Sequence, residues 1–466
     1  MNEARALTGC RTRRSRLVFP VRFFLIAALF SGCISPKPKL VPSAPPANFP
    51  DVVKRVSAAR GLEPKQEIKL AGTAAAANPN APADGYQGAP VAEVERAYKI
   101  AGLLPNAGDF SKALSEYRRF EQLIFYNRFT STASWTPGAA QMGAPLAKIQ
   151  PEKAEEFAPV FAIAQALQEQ HFKWRAVIDS IAIEDRRSAF QALAIGDAAL
   201  ILLNIGIKKT EMSSLPAQLE VAAQAAGELD KLAASLPDFF RRRLTFPYRH
   251  GGLFVYWALR LSGWPGVNSL YRDPPFSTGE ILHPERYFID REAPLHFFPP
   301  QLMRRVKEGA VIEQTLGEDA IAGLLSRDRS AKLPADVAAG WRADDLFVFR
   351  ESNNPMILWF SAWRSEDQAQ AFLNAYRSLL ETRHRIRFDA PITARTIGAW
   401  TARAPDGRGW LLQRNQSNVL LISAVPASRL LELAGEAWKD LQIDKESTEI
   451  RYESARKSAQ PSARRR

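Results

Sequence analysis

The stretch V-F-A-I-A-Q-A-L-Q-E-Q-H-F at residues 160–172 decides the interpretation of this chain. Ile163, Leu167 and His171 recur at the four-residue spacing that places side chains on one face of an α-helix. Pro159 precedes the stretch, and the first turn of a helix tolerates proline because its N–H groups have no partner within the helix. By itself this pattern predicts an amphipathic helix that packs against a core.

The composition is that of a globular protein, and the positive charge is concentrated at the two ends. The chain has 466 residues, of which 46% are hydrophobic and 24% charged, and this length allows two or three domains. Of the formal net charge of +13, residues 1–32 carry +5 and the last eleven residues another +5. The net charge that remains for the rest of the chain is small and gives no reason to predict a nucleic-acid partner.

The N-terminus has the pattern of a secretory signal. Arginines up to Arg22 are followed by the apolar run Phe23–Phe30 and by small residues, and this run is shorter than the ~20 residues that span a bilayer. The ending F-S-G-C resembles the lipobox of bacterial lipoproteins. This resemblance implies that residues 1–32 are a signal peptide and that Cys33 becomes the lipidated first residue, carrying palmitate. A cleaved signal with an incidental cysteine is the alternative.

The predicted lipid anchor defines the compartment and the redox chemistry. Ile34 follows the cysteine in place of aspartate, and the sorting rules of proteobacterial lipoproteins then imply the periplasmic face of the outer membrane. The predicted localisation is therefore the cell envelope, with the membrane as a partner. Cys10 and Cys33 are the two cysteines of the chain, and Cys10 is lost with the signal. No thiol is left for a disulfide, a metal site or a nucleophile.

The rest of the chain divides by composition into four segments. Residues 33–90 are rich in Pro and Ala and predict a flexible tether. Residues 91–340 predict a mainly helical domain, whereas residues 341–440 alternate strand patterns with helices and predict a small α+β module. Its predicted strands include residues 345–350, 356–361, 385–388, 409–414 and 419–424. The basic residues 441–466 are expected to be disordered. The predicted fold class is therefore α+β.

Several short motifs of the helical region occur in the order found in one family. They are A-L-Q-E-Q-H-F at 166–172, A-L-A-I-G-D-A at 192–198, F-P-Y at 246–248, D-P-P at 273–275 and I-L-H-P-E-R-Y at 281–287. In these motifs the chain resembles the zinc-metallopeptidase-like proteins of bacteria and archaea, often lipid-anchored and of the zincin or gluzincin type. That family carries H-E-x-x-H on the first of these helices and E-G-D-A on the second. The resemblance implies a zincin-like fold for the helical domain.

The metal site of that family is degenerate in this chain. A zinc hydrolase of this type needs two histidines four residues apart, a glutamate base beside the first and a carboxylate from a second helix. The resemblance places the first histidine at Phe161, the glutamate at Ala162, the second histidine at Gln165 and the carboxylate at Ile195. Apolar side chains cannot bind zinc, and an amide is a poor ligand. We therefore predict no metal, no cofactor and no catalytic residue at these positions. Whether the chain is an enzyme of another kind stays open.

Other polar residues of the helical region are assigned more modest roles. Tyr248 and His250 are candidates for the lining of the former cleft, although packing is the favoured role for Tyr248, and a satisfied or exposed side chain is favoured over a ligand role for His250. Structural hydrogen bonds are the expected role of His171, His283 and Asp197.

Three functions remain in competition. The leading hypothesis is a cell-envelope lipoprotein with a catalytically inactive zinc-peptidase-like domain, which binds a protein or peptide or serves as a scaffold. The first alternative is a hydrolase or peptidase with a rearranged site that lacks H-E-x-x-H and uses His250 with a nearby carboxylate. The second is an accessory lipoprotein that binds through its C-terminal α+β module. The strands of that module contain Trp359, Trp363, Trp400 and Trp410.

Overall fold

A mainly helical part is followed by a sheet-rich part, which confirms the predicted α+β class. The computed structural model describes residues 48–445 except 71–84, 87–88, 206–213, 306–309, 327–333, 352–353, 390 and 392–397. The predicted signal peptide, Cys33 and residues 446–466 of the predicted tail lie outside these residues. No helix in the described ranges is long and apolar enough to cross a membrane.

The secondary structure follows the chain in this order. The helices are α1 (Phe49–Arg60), α2 (Val91–Ile100), α3 (Phe110–Glu121), α4 (Pro137–Met142), α5 (Pro151–Phe172), α6 (Trp174–Ser180), α7 (Glu184–Asn204), α8 (Leu215–Ala223), α9 (Ala225–Leu232), α10 (Asp238–Leu270), α11 (Thr278–Leu282), α12 (Glu285–Phe288), α13 (Pro300–Arg305), α14 (Gly317–Leu325), α15 (Pro334–Ala338), α16 (Glu366–His384) and α17 (Leu430–Asp440). The strands are β1 (Lys69–Leu70), β2 (Gly85–Tyr86), β3 (Ala89–Pro90), β4 (Ile124–Asn127), β5 (Thr132–Trp135), β6 (Leu295–Phe298), β7 (Ala310–Gln314), β8 (Trp341–Glu351), β9 (Asn354–Trp363), β10 (Trp400–Arg403), β11 (Arg408–Asn415), β12 (Asn418–Pro426) and β13 (Gln442–Lys445).

Helix α5 contains the stretch at 160–172 and is longer and more deeply buried than its sequence predicts. It begins at Pro151, so Pro159 lies inside the helix, where a proline removes one backbone hydrogen bond. Every residue from Phe157 to Glu169 is buried, because α1, α7, β4 and β5 pack around this helix. The prediction of an amphipathic helix was therefore wrong. Alanines between the large side chains let neighbouring elements approach on every side.

Helices α7 and α10 pack against each other beside α5 at the centre of the helical part. The continuous apolar pattern in the second half of α7 predicts burial on all sides, and this is confirmed. The two helices cross so closely that a Cβ atom on Gly196 would lie 2.2 Å from the carbonyl oxygen of Gly251. A Cβ atom on Gly251 would lie 2.1 Å from the carbonyl oxygen of Ala192. This crossing therefore requires glycine on both helices.

The N-terminal segment is part of the fold, which corrects the predicted tether at residues 33–90. Phe49 and Val56 of α1 are buried in the core, and Arg60 is fully buried beside Asp197 of α7. Strand β1 pairs in parallel with β5. The prediction is thus wrong for the described residues from 48 to 70. A short amphipathic helix and one buried ion pair anchor these residues to the core, although the flanking sequence is of low complexity.

Six strands form one antiparallel sheet in the order β10-β11-β12-β9-β8-β7. Strands were predicted at 345–350, 356–361, 409–414 and 419–424, and all four are confirmed within longer strands. Strand β7 was missed, and it pairs with β8 from inside the segment predicted to be helical. The predicted boundary between residues 340 and 341 therefore separates two strands of one sheet.

Two further predictions about the C-terminal region need correction. A strand was expected at 385–388, but only an isolated bridge between Asp389 and Thr401 is found there. The tail predicted to be disordered at 441–466 begins with an ordered strand, because β13 pairs antiparallel with β6. That pairing ties the end of the described chain to the segment that follows α12.

The helices and the sheet share a hydrophobic core. One face of the sheet belongs to the same buried cluster as the helices, through residues such as Trp359 and, on α16, Phe372 and Tyr376. The other face forms a second cluster with α17. The Tyr376 hydroxyl also donates a hydrogen bond to the Ala101 carbonyl at 2.9 Å. The described residues accordingly belong to a single compact unit.

Candidate functional site

The position of the first expected zinc ligand is filled by a stacked aromatic ring. The ring of Phe161 lies 4.3 Å from that of Phe157 and 6.1 Å from that of Tyr248, centroid to centroid. Phe161 is only 2% exposed. Ala162 and Ile195, at the positions of the base and the third ligand, are buried in the same core. These three positions contribute apolar packing only.

Gln165, at the position of the second histidine, is held in local hydrogen bonds. Its side-chain oxygen accepts a bond from Arg175 Nη2 at 3.3 Å, and its backbone oxygen accepts one from Trp174 Nε1 at 3.1 Å. The guanidinium of Arg175 also lies over the Trp174 ring, 4.5 Å from its centroid. The amide of Gln165 thus has a structural partner, and burial lowers the pKa of Arg175.

The stretches of α5 and α7 that carry the degenerate positions are in contact. Gln168 lies one turn beyond Gln165, and its amide nitrogen donates to the carbonyl oxygen of Ala194 at 2.9 Å. Ala194 directly precedes Ile195. Through the stacking of Phe161 on Tyr248, α5 also meets α10 here. Three helices therefore meet where the resemblance places a metal site.

The residues at this place do not fit a zinc ion. Among the four positions, the side chain of Gln165 supplies the one polar group, while structural and catalytic zinc sites use three or four His, Cys or carboxylate ligands. In the part of the chain that the structure describes, no group of three or more His, Cys, Asp or Glu is placed to hold a metal ion. No chemical step through zinc can be derived for these residues.

The two candidate cleft residues have different surroundings. Tyr248 stacks on Phe161, and burial raises the pKa of its hydroxyl. The ring of His250 packs against Phe246 with centroids 5.1 Å apart. Burial, together with the smaller effect of the charges of Arg249 and Arg242, lowers the pKa of His250 to about 4. His250 is therefore neutral at physiological pH.

A buried polar network joins α1 to the central helices. The carboxylate of Asp197 accepts bonds from Arg60 Nε and from the Tyr271 hydroxyl, each at 2.8 Å. Gln168 also points its amide nitrogen at this carboxylate, 3.4 Å away. The predicted structural role of Asp197 is confirmed, because these bonds hold four segments of the chain together.

The predicted structural roles of two histidines are also confirmed. His171 Nε2 lies 2.8 Å from the carbonyl oxygen of Glu63, and this bond fastens the chain after α1 to the end of α5. His283 Nε2 lies 2.7 Å from Glu318 Oε1. Arg286 Nη1 donates to the other oxygen of Glu318 at 2.8 Å. The H-P-E-R-Y motif is thus fixed to α14 by one buried carboxylate.

A cleft lies where the helical part meets the sheet, and the sequence did not predict it. It encloses about 750 Å³, including the part open to solvent. Its lining includes Asp185, Phe276, Glu280, Trp341, Arg342 and Arg364. One feature of the sequence pointed to this cleft, because residues 277–286, which overlap the I-L-H-P-E-R-Y motif, form one of its walls. The Ser277 side chain caps α11 by accepting a bond from the Glu280 N–H at 3.3 Å, which is one of the two bonds of a capping box.

The motif wall of this cleft is rigid and internally paired. Glu280 accepts bonds from Arg291 Nε at 2.9 Å and from the Phe276 N–H at 2.6 Å. The Thr278 hydroxyl donates to Asp185 at 2.5 Å. Burial raises the pKa of both carboxyl groups, Glu280 and Asp185. Neither carboxyl group is available to a ligand without loss of an internal bond.

A second cavity lies beside α10 and α14 and is lined by polar groups. It encloses about 880 Å³, including open solvent, and its walls carry four arginines of α10. Arg242 is bonded to Asp319 at 2.8 Å, and Arg243 forms an ion pair with Glu184. Most of the charge in this cavity therefore serves internal ion pairs.

Comparison with known proteins bears on the sheet rather than on Phe161, Ala162, Gln165 and Ile195. Residues 304–434 match the family model described as Domain of unknown function (DUF8575). No curated protein and no solved structure gave a match. The matched range contains all six strands of the large sheet and covers less than a third of the chain. It begins before strand β7, in agreement with the sheet boundary seen in the fold.

The tryptophans proposed as a binding surface on the sheet are mostly core residues. Trp359, Trp363 and Trp410 are buried. Trp400 is half-buried, and the guanidinium of Arg377 lies 4.0 Å from the centroid of its ring. These rings stabilise the packing of α16 on the sheet and leave little aromatic surface for a partner.

Proposed function

We propose that this chain is a cell-envelope lipoprotein, anchored through Cys33, whose helical part is a catalytically inactive zinc-peptidase-like domain that binds a protein or peptide. The observation that carries the proposal is the aromatic stack of Phe157, Phe161 and Tyr248. By the resemblance, this packed phenylalanine stands at the position of the first histidine ligand, and its apolar ring cannot bind a metal ion. The glycine crossing and the Asp197 network support retention of the framework around it.

Metal analysis tests the inactive site. The mature chain, purified in detergent after expression with added zinc, is expected to hold no stoichiometric zinc. The variant that combines Phe161→His, Ala162→Glu, Gln165→His and Ile195→Glu is expected to regain zinc binding, measured as metal retained after dialysis and as a rise in Tm on zinc addition. The control Phe161→Ala opens the same space without adding a ligand. Stoichiometric zinc in the unmodified chain, removable by a chelator, would overturn the proposal.

Metabolic labelling tests the anchor. An alkyne-tagged palmitate is expected to label the unmodified chain and to leave Cys33→Ser unlabelled, because the Cys33 sulfur is the predicted attachment point of the group that carries the fatty acids. The labelled chain is expected in the outer-membrane fraction and the variant in other fractions. Undiminished labelling of Cys33→Ser would exclude Cys33 as the lipidated residue.

A further inference from the structure

Three arginines line the cleft between the helices and the sheet, and two of them share one carboxylate. Arg286, Arg342 and Arg364 all line the cleft, together with Glu292. Glu292 Oε2 lies 3.0 Å from Arg342 Nε and 3.1 Å from Arg364 Nη1. One carboxylate oxygen thus receives two guanidinium groups from β8 and from the residue after β9.

The cations of this cluster outnumber the anions that neutralise them. Among the described residues, Glu292 is the one carboxylate paired with Arg342 and with Arg364, while Arg286 is paired with Glu318. Burial lowers the pKa of Arg342. The positive charges of Arg364 and Arg286 lower it as well, whereas the negative charge of Glu292 raises it. An additional anion would therefore be stabilised here.

The carboxylate that occupies the cluster is the most exposed member of it. The Glu292 side chain is 42% exposed, against 17% for Arg342. Arg291, its chain neighbour, is anchored to Glu280. Rotation of the Glu292 side chain alone would therefore vacate the arginines without moving the backbone. Arg342 keeps a second anchor in this case, since it also donates to the Ala293 carbonyl at 2.7 Å.

The lining of the cleft also includes apolar side chains. Phe276, Leu295 and Trp341 line it. Trp341 is buried, and its indole nitrogen already donates to Asp344 at 2.8 Å, so only its apolar surface faces a ligand. A ligand that combines a carboxylate with an adjacent apolar side chain would match these arginines and these apolar residues.

We propose that this cleft binds a peptide carboxylate next to an apolar residue, and that Glu292 occupies the carboxylate position when no peptide is bound. Arg342 and Arg364 bind the ligand carboxylate, and Phe276, Leu295 and Trp341 contact the apolar side chain. The inference rests on the proposed partner-binding role and is independent of the former zinc position. The negative charges of Glu280 and Glu292 disfavour a multiply charged phosphate or a nucleic acid. The position between Arg342 and Arg364 has the size of one carboxylate, so a ligand with more charge is not needed to fill it.

Calorimetric titration of the mature chain in detergent tests the proposal with three acetylated tetrapeptides. The first, Ala-Leu-Ala-Phe, ends in a free carboxylate; the second is its C-terminal amide; the third, Ala-Leu-Glu-Phe amide, carries the carboxylate on a side chain. Binding of the first or the third, but not of the neutral amide, is expected. Which of the two binds tells a chain terminus from an acidic side chain as the source of the carboxylate.

Two variants and two matched controls locate the binding. Arg364→Gln is expected to weaken binding roughly ten- to hundredfold, as loss of a charge-assisted bond does, and Glu292→Gln is expected to strengthen it by removing the competing carboxylate. Arg414 and Glu366 form a similar pair at 3.0 Å outside the cleft. Arg414→Gln and Glu366→Gln are therefore expected to leave binding unchanged.

Three results would overturn this inference. They are equal binding of the neutral amide, no effect of Arg364→Gln on binding, and no binding of any of the three peptides. Each leaves the metal test of the inactive site unaffected, so failure of this inference can be told apart from failure of the proposed function.

Discussion

Single side chains decide the chemistry that the helical part can perform. The ring of Phe161 fills a ligand position, the amide of Gln165 is bonded to Arg175, and His250 is kept neutral by its surroundings. Each of these side chains already has a packing or hydrogen-bonding partner, which stabilises it in its present position. Conversion to a metal site therefore needs several simultaneous substitutions, because one histidine alone would replace a packed ring without completing a ligand set.

The pH dependence of stability should carry the signature of His250. Its pKa falls from 6.5 to about 4 on folding, mainly because of burial, so between these values the unfolded chain binds the extra proton. Stability therefore falls as the pH drops through this window, by up to about 3 kcal/mol from this residue. In urea unfolding at pH 7 and pH 4, His250→Gln should lose less stability than the unmodified chain. Parallel losses in the two proteins would contradict the assignment.

At the scale of elements, close helix packing and one buried ion pair hold the framework. The crossing of α7 and α10 depends on two glycines, and the attachment of α1 depends on Arg60. Both features join segments far apart in the sequence. Each makes a specific prediction about stability.

The helix crossing should not tolerate a side chain. Gly251→Ala places a Cβ atom 2.1 Å from the Ala192 carbonyl oxygen, so α7 and α10 must separate, and we expect a loss of roughly 3 kcal/mol or more, at the upper end of overpacking costs. Gly227 in α9 has no atom near the corresponding position. Gly227→Ala is therefore the matched control and should be neutral or stabilising by up to about 1 kcal/mol. Equal urea midpoints for the two variants would contradict this packing.

The attachment of α1 should depend on charge balance at Asp197. Arg60→Met leaves a buried carboxylate without its cation and should destabilise the chain by roughly 3–5 kcal/mol. The double variant Arg60→Met with Asp197→Asn should recover part of this loss, since an amide still accepts the bond from Tyr271. Arg55→Met, on the exposed side of the same helix, should cost about 1 kcal/mol or less. A double variant less stable than Arg60→Met would argue against an ion pair.

At the scale of the whole molecule, the helical part and the sheet are one folded unit. The larger buried cluster runs from α1 through the central helices to one face of the sheet. Hydrogen bonds from α16 to the end of α2 join them further, through Tyr376 and His384. The cleft with its arginines exists only because these parts share an interface.

Unfolding should consequently be a single cooperative transition. Urea unfolding followed by far-UV circular dichroism and by tryptophan fluorescence should give the same midpoint, because helices and sheet lose a shared core together. Six of the ten tryptophans, such as Trp359 and Trp410, lie from residue 341 onward and report on the sheet. Two separated midpoints would show that the helical part and the sheet fold independently.

The sequence by itself determined the fold class, the central helices and most strands of the sheet. These follow from local periodicity and from residue identities at fixed spacing, both of which are written along the chain. The tertiary structure alone decided the burial of α5 on all sides, the attachment of α1 and the formation of the cleft that Glu292 and Arg364 line. Such features depend on which distant segments meet, and contacts between residues 60 and 197 or 292 and 364 leave no periodic signal in a single sequence.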